Sequence, residues 1–246
     1  MNNQKALSFL RSKFPFHPEV AVIDYTSNNA IREELQVERS VPYRDIPYES
    51  GNGERQGELV LGTVNGRKTL LLSGYFNTGS DESFAVEVMN HFGIKSVILT
   101  LRALSLYNSP GPEMLIASDH FTLFNSFNPL QKNGKTPQLA REIYPSALIE
   151  TAKSEAQKLG MRIPDGTLCE GIDTELVSNA EYEYLRACGI DAIGSSFSRD
   201  SVAAYRAGIP MLILALLQEP GLDEKQSEMS SEKDLRKLIL GIISSL

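Results

Sequence analysis

The chain has 246 residues, 41% hydrophobic and 22% charged, which suits a soluble globular protein of one α/β domain or two small ones. A net charge of −7 and the lack of any Lys/Arg cluster exclude nucleic acid and an anionic membrane as main partners. No stretch approaches the ~20 apolar residues of a membrane span, and the first twenty residues lack a signal-peptide core, so a cytoplasmic protein is expected. Cys169 and Cys188 have no metal or redox spacing and read as free thiols.

The predicted elements begin with a short apolar strand, "VAVID" (20–24), which runs into polar "YTSNN". "IREELQVERSVPYRDIPY" holds charged residues and turn prolines. "GELVLGTVNGRKTLLLSG" predicts a hairpin about Asn65-Gly66. "SDESFAVEVMNHFG" predicts a helix capped by Ser80 and closed by Gly93. "SVILTL" (96–101) and "MLIASDH" (114–120) read as strands. "SALIETAKSEAQKLG" reads as a helix after Pro145, and "NAEYEYLRACG" as one capped by Asn179. "IDAIG" is a short strand, "RDSVAAYRAG" a helix closed by Gly208, and "PMLILALL" (210–217) a buried strand. After a loop at 219–229 comes a terminal amphipathic helix, with Ser231 and Asp234 as a capping box.

Strands and helices alternate, most clearly in the second half. This predicts an α/β fold, a sheet covered by helices on both faces, as a single domain over residues 1–246; that the fold is a mixed central β-sheet flanked by helices is what the resemblance described next implies.

Several segments, in order, resemble the trimeric class of purine nucleoside phosphorylases and their methylthioadenosine phosphorylase relatives. They are "VPYRDIPY", "GELVLGTVNGRK", "HFGIKSVILTLRALSL", "PGPEMLIASDHFTLFNSFNPL" and "EGIDTELVSNAEYEYLRACGIDAIGSS". The likeness covers roughly residues 18–245. It implies phosphorolysis of an N-glycosidic bond, in which phosphate attacks the anomeric carbon of a nucleoside and gives free base and pentose 1-phosphate. Such a site must hold an anion beside a developing cation and stabilise charge leaving into the base. The resemblance further implies no cofactor beyond phosphate as co-substrate, no metal, and a homotrimer whose neighbouring subunit lends an aromatic to each site.

Carried over residue by residue, the resemblance places Thr26 or Ser27 at the phosphate hydroxyl, in a loop that has lost the family's glycines. Arg55 stands at the His of the Gly-His-x-Gly loop, where a guanidinium suits phosphate. In "TLLLSGYFNTGS" Tyr75 stands for an Arg, and Asn77 stands for the catalytic His on the sugar side. Asn77 hydrogen-bonds but cannot change charge. Arg102 falls where backbone meets phosphate; it either restores a cation or fills the pocket and pairs with an acid. Glu175 aligns with the base-recognising Glu, beside Thr174. Ser196 keeps a phosphate-binding hydroxyl, Ser195 replaces the Met under the ribose, and Phe197 replaces a small hydroxyl residue. Glu219 stands where the family has the Asn that donates to the base, which an ionised Glu cannot do. His120 reads as structural.

Each position also has a plainer reading: a polar turn for Thr26 and Ser27, a solvated arginine for Arg55, a surface acid for Glu175, a cap for Ser196. Three functions stay open at this point. One is an active nucleoside phosphorylase with rebuilt sites. Another is a catalytically inactive protein that binds a nucleoside or phosphate ester. The last is a different N-glycoside cleavage, such as hydrolysis, with Asp81, Glu175, Asp200 and Glu219 as candidate bases.

Overall fold

The computed structural model describes residues 4–14, 16–26, 30–47, 55–76, 83–123, 142–171, 177–220 and 224–246. Helix α1 (Gln4–Lys13) precedes β1 (Val20–Asp24), α2 (Ala30–Glu34), β2 (Gln36–Pro42) and a 3-10 turn (Tyr43–Asp45). Next come β3 (Arg55–Val64), β4 (Arg67–Phe76), α3 (Phe84–Phe92), β5 (Ser96–Ser105) and β6 (Met114–Thr122). The second half holds α4 (Ser146–Lys158), β7 (Asp165–Glu170), α5 (Asn179–Ala187), β8 (Ala192–Gly194), α6 (Ser198–Ala207), β9 (Met211–Gln218) and α7 (Glu224–Ser245).

The Asn65-Gly66 hairpin forms as predicted, with φ of 48° and 82° at the two turn residues. Close to the far end of this pair, Gly57 lies opposite Gly74. Gly57 has φ +126°, and a Cβ there would come within 1.9 Å of the Ser73 carbonyl oxygen. Only glycine fits that approach.

The strands form one mixed sheet in the order β2-β3-β4-β1-β5-β8-β7-β6-β9. β1 lies between β4 and β5, parallel to both. All five of its residues are buried, which explains its unbroken apolar run. β5 also pairs with β9, from Val97↔Met211 to Leu104↔Gln218. That extra ladder closes β5, β8, β7, β6 and β9 on themselves. The mixed sheet matches the sequence expectation, but this part of it is a closed set of strands rather than an open layer. β8 runs antiparallel to β5. Its end therefore turns back toward the carboxyl end of β1, which positions the site described below.

Some local expectations shift. Ser83, not Ser80, caps α3, its hydroxyl accepting from the Val86 N–H at 3.1 Å. Ser80 lies outside the described residues. Ser178 rather than Asn179 caps α5, in a capping box with Glu181. α7 begins at Glu224, inside the predicted loop. Ser231 is therefore within the helix, and its hydroxyl donates to Glu113 at 2.7 Å. Helix α1 and strands β2 and β7 were not anticipated. No helix among the described residues is long and apolar enough to cross a membrane.

Candidate active site

The carboxyl end of β1 has α2 and the middle of α7 on one side and the starts of α3 and α6 on the other. Asp24, the last residue of β1, is 1% exposed. Its Oδ1 accepts three hydrogen bonds: from the Thr26 N–H at 2.9 Å, the Thr26 hydroxyl at 2.5 Å and the Thr100 hydroxyl at 2.9 Å. Its Oδ2 has no hydrogen-bond partner among the described residues. Asp24, Thr26 and Thr100 face Ile31 of α2 and Glu232, Leu235, Arg236 and Ile239 of α7 across a crevice too narrow to hold a water molecule.

On the other side of β1, the Tyr25 hydroxyl donates to Asp200 Oδ2 at 2.7 Å, and the Ser83 hydroxyl donates to Oδ1 at 2.6 Å. One buried carboxyl thus joins β1, α3 and α6. Burial holds the Asp200 carboxyl above the usual carboxylate range, although the two hydroxyls and Arg199 pull the other way. Tyr43 is buried close by. Desolvation pushes its phenol upward, and the charges of Glu58, Asp200 and Asp24 add to that. Glu58 pays a burial cost, but Arg32 and Ser40, which both bond to it, hold it below its ordinary range.

The amino end of α6 is closed from within the chain. Glu170, at the end of β7, accepts through Oε2 from the Phe197 N–H at 3.1 Å and the Ser198 N–H at 2.7 Å. A carboxylate is favoured at a helix N-terminus by both hydrogen bonding and the dipole. Behind it, the Tyr144 hydroxyl stands 2.9 Å from His120 Nδ1 and donates to the Ser201 hydroxyl at 3.3 Å. Ser201 in turn donates to the Phe197 carbonyl at 2.9 Å. His120 packs edge-on against Tyr144 and Phe197, and burial lowers its pKa. This agrees with its structural reading.

The residues singled out by sequence fall as follows. Thr26 is buried at the crevice, its hydroxyl proton committed to Asp24. Arg102 is on β5, and its guanidinium pairs with Glu232 of α7, the second of its two expected fates. Ser196, half-buried with φ +64°, and exposed Ser195 form the turn that leads into α6. Phe197 is fully buried in the core. Glu219, just past β9, accepts from the Ser109 hydroxyl at 2.6 Å and the Gly111 N–H at 2.9 Å. Those bonds hold its carboxyl below the usual range, so it braces the β5–β6 connection as an acceptor. Arg55 opens β3, opposite Phe76. Ser27, Asn77, Asp81, Thr174 and Glu175 lie outside the described residues. Cys169 is buried and Cys188 exposed, both free, and burial pushes the Cys169 thiol up to about 11.

Thr26, Arg102 and Glu232 thus share one side of the β1 end, and Ser196 and Asp200 lie on the side joined through Tyr25. Sequence reasoning missed Asp24, Glu170 and Glu232. All three are carboxylates that engage the donors an anion would use. An anion in reach of the Thr26 hydroxyl would lie a few ångström from Asp24. Like unit charges 4 Å apart repel by about 4 kcal/mol at an effective dielectric of 20.

The profile of the phosphorylase superfamily matches residues 21–244, nearly the whole chain. The chain belongs to the phosphorylase superfamily. Purine nucleoside phosphorylase 1 of Geobacillus stearothermophilus is 28% identical over 223 residues, which cover 85% of this chain and 81% of that protein. Among solved structures, a Schistosoma mansoni purine nucleoside phosphorylase bound to a monocyclic inhibitor superposes with a TM-score of 0.85 at 22% identity. It covers 100% of this chain and 96% of its own. A purine nucleoside phosphorylase in complex with ribose-1-phosphate gives 0.84 at 22% identity, over 100% of this chain and 96% of that one. These likenesses establish the nucleoside phosphorylase fold for this superfamily member.

Proposed function

We propose that the protein is a divergent purine nucleoside phosphorylase-like enzyme, a pentosyltransferase that cleaves the N-glycosidic bond of a nucleoside. In the form its relatives' names carry, phosphate attacks the anomeric carbon and the products are free base and pentose 1-phosphate. The observation that carries the reading is superfamily membership over residues 21–244, nearly the whole chain. Ligands of parallel α/β sheets bind at the carboxyl ends of the strands. In this reading Thr26, Ser27, Arg55 and Ser196 face phosphate; Glu175 and Thr174 face the base; and Ser195 and Asn77 face the sugar. No cofactor is required. The protein works in the cytoplasm as a homotrimer, with small molecules as its ligands.

A second reading, nucleoside binding without turnover, is favoured by one specific feature. The Thr26 hydroxyl, Arg102 and the Phe197 and Ser198 N–H groups at the start of α6 are each held by a carboxylate of the chain itself. Losing one such stabilising contact costs about 3–4 kcal/mol of barrier in other enzymes. Incubation of the protein with inosine, guanosine, adenosine and uridine at saturating phosphate, followed by chromatography of the bases, separates the two. Release of base supports the enzyme. Calorimetric binding of a nucleoside with no release over a day at high protein concentration supports the binding protein.

A further inference from the structure

This inference rests on the reading above and concerns how its phosphate side is held in place. Two of the segments assigned to phosphate, the loop after β1 and the Ser195–Ser196 turn, come from opposite ends of the chain. Asp200 joins them. It is buried in the first turn of α6, just after that turn. Its Oδ2 accepts from the hydroxyl of Tyr25, which opens the β1 loop, at 2.7 Å. Its Oδ1 accepts from the Ser83 hydroxyl at 2.6 Å. Ser83 is itself fixed, because it caps α3 and accepts the Val86 N–H at 3.1 Å. The backbone of Tyr25 is fixed too, its N–H donating to the Thr100 carbonyl at 2.9 Å. An acid in the first turn of a helix ordinarily serves the free N–H groups of that helix. Here Glu170 already accepts from the Phe197 and Ser198 N–H groups, so α6 does not need Asp200 for that task. Both oxygens of the buried carboxyl are directed to other elements instead. Burying it costs free energy that an apolar side chain would avoid; what the carboxyl adds is a defined geometry.

We propose that Asp200 is a positioning residue that sets the separation of the β1 loop and the Ser195–Ser196 turn, with the start of α3 as its support. It acts on the first through Tyr25 and on the second through its own helix, and it touches no ligand. Phosphate is held firmly only when its donors converge on one point, so a displacement of about 1 Å in either segment weakens that hold. The base is assigned to Thr174 and Glu175, which Asp200 does not link, so the nucleoside should feel the displacement less.

The test uses Tyr25→Phe, which keeps the ring and removes the hydroxyl bonded to Asp200, and Asp200→Asn, which leaves one acceptor oxygen for two donors. Base release from the same nucleosides is measured with phosphate and nucleoside varied in turn. In both variants KM for phosphate should rise about tenfold, as for one lost hydrogen bond to a carboxyl, while KM for the nucleoside changes less than about twofold. Calorimetry with inorganic phosphate should show the same weakening without turnover. Where Asp200→Asn does not fold, Tyr25→Phe decides alone. A Tyr25→Phe protein with wild-type circular dichroism, wild-type Michaelis constants and wild-type phosphate binding overturns this inference and leaves the cleavage reading standing. So does a parallel rise in both Michaelis constants with a lowered melting temperature, which marks Asp200 as a support of the fold alone. No base release from the wild type overturns the cleavage reading; the phosphate calorimetry then judges Asp200 by the same tenfold comparison, on the order of one hydrogen bond. A wild type that neither releases base nor binds phosphate overturns both.

Discussion

Asp200 sits 4% exposed between two hydroxyls, and burial is the main influence on its carboxyl. The direction of that shift fixes a pH dependence. A carboxyl held above its unfolded value favours folding when protonated, so its contribution is fully present below about pH 4, the ordinary Asp range. It is lost as pH rises through the raised native value. Asp200→Asn removes the titration while keeping a polar group for Tyr25 and Ser83. The melting temperature of the wild type, relative to that variant, should therefore fall as pH rises from about 4 toward neutrality. Parallel curves across that range would contradict the assignment. At this scale the sequence was half legible. Thr26 could be nominated because the family resemblance sets a phosphate-binding hydroxyl in that loop. Its competitor could not, because Asp24 ends an apolar strand and reads as the strand's last residue. The Asp-x-Thr spacing of an Asx turn was the available signal. Glu170 gave none, since it meets the α6 N–H groups through space, 27 and 28 residues away. The pairing of Arg102 was foreseeable as a type, because a half-buried guanidinium needs an acid; which acid depended on where α7 docks.

At the scale of elements, the β3–β4 ribbon makes the sharpest demand on sequence. Gly57 and Gly74 face each other with φ of +126° and +82°. Gly57→Ala adds a Cβ 1.9 Å from the Ser73 carbonyl oxygen at a φ that L residues avoid. Strain of this kind costs about 1–3 kcal/mol before the overlap is counted. The unfolding free energy from urea titration should drop by at least that much, as a lower midpoint at unchanged slope, whereas Gly66→Ala, whose Cβ meets nothing within 4 Å, should lose less. Helices were legible where apolar spacing and stop signals agreed. Gly93 and Gly208 close α3 and α6 in the left-handed conformation as expected. Strand β2 was not legible, because its first four residues are exposed on one edge of the sheet and carry little apolar pattern. β7 is short and lies in the closed set of strands, so its alternation is brief.

For the whole molecule, the order of strands could not come from local pattern. The β5–β9 ladder joins Val97 to Met211, and no periodicity encodes a pairing that distant. Family likeness supplied the mixed sheet; coordinates supplied its closure. That closure argues for a single cooperative unit, since β5 is hydrogen-bonded to β1, β8 and β9. With 9 Tyr and no Trp, tyrosine fluorescence and far-ultraviolet circular dichroism should report one coincident urea transition. Two separated midpoints would show that the closed strands and the β2–β3–β4 wing unfold independently.

The brace at Glu219 carries a consequence for how such a protein diversifies. By tying the β5–β6 connection to the tip of β9, it lets one loop ride on another instead of on a ligand. The β5–β6 connection and the end of β9 then hold each other's form with nothing bound. New chemistry can be tried at the neighbouring positions while the wound strands beneath stay as they are.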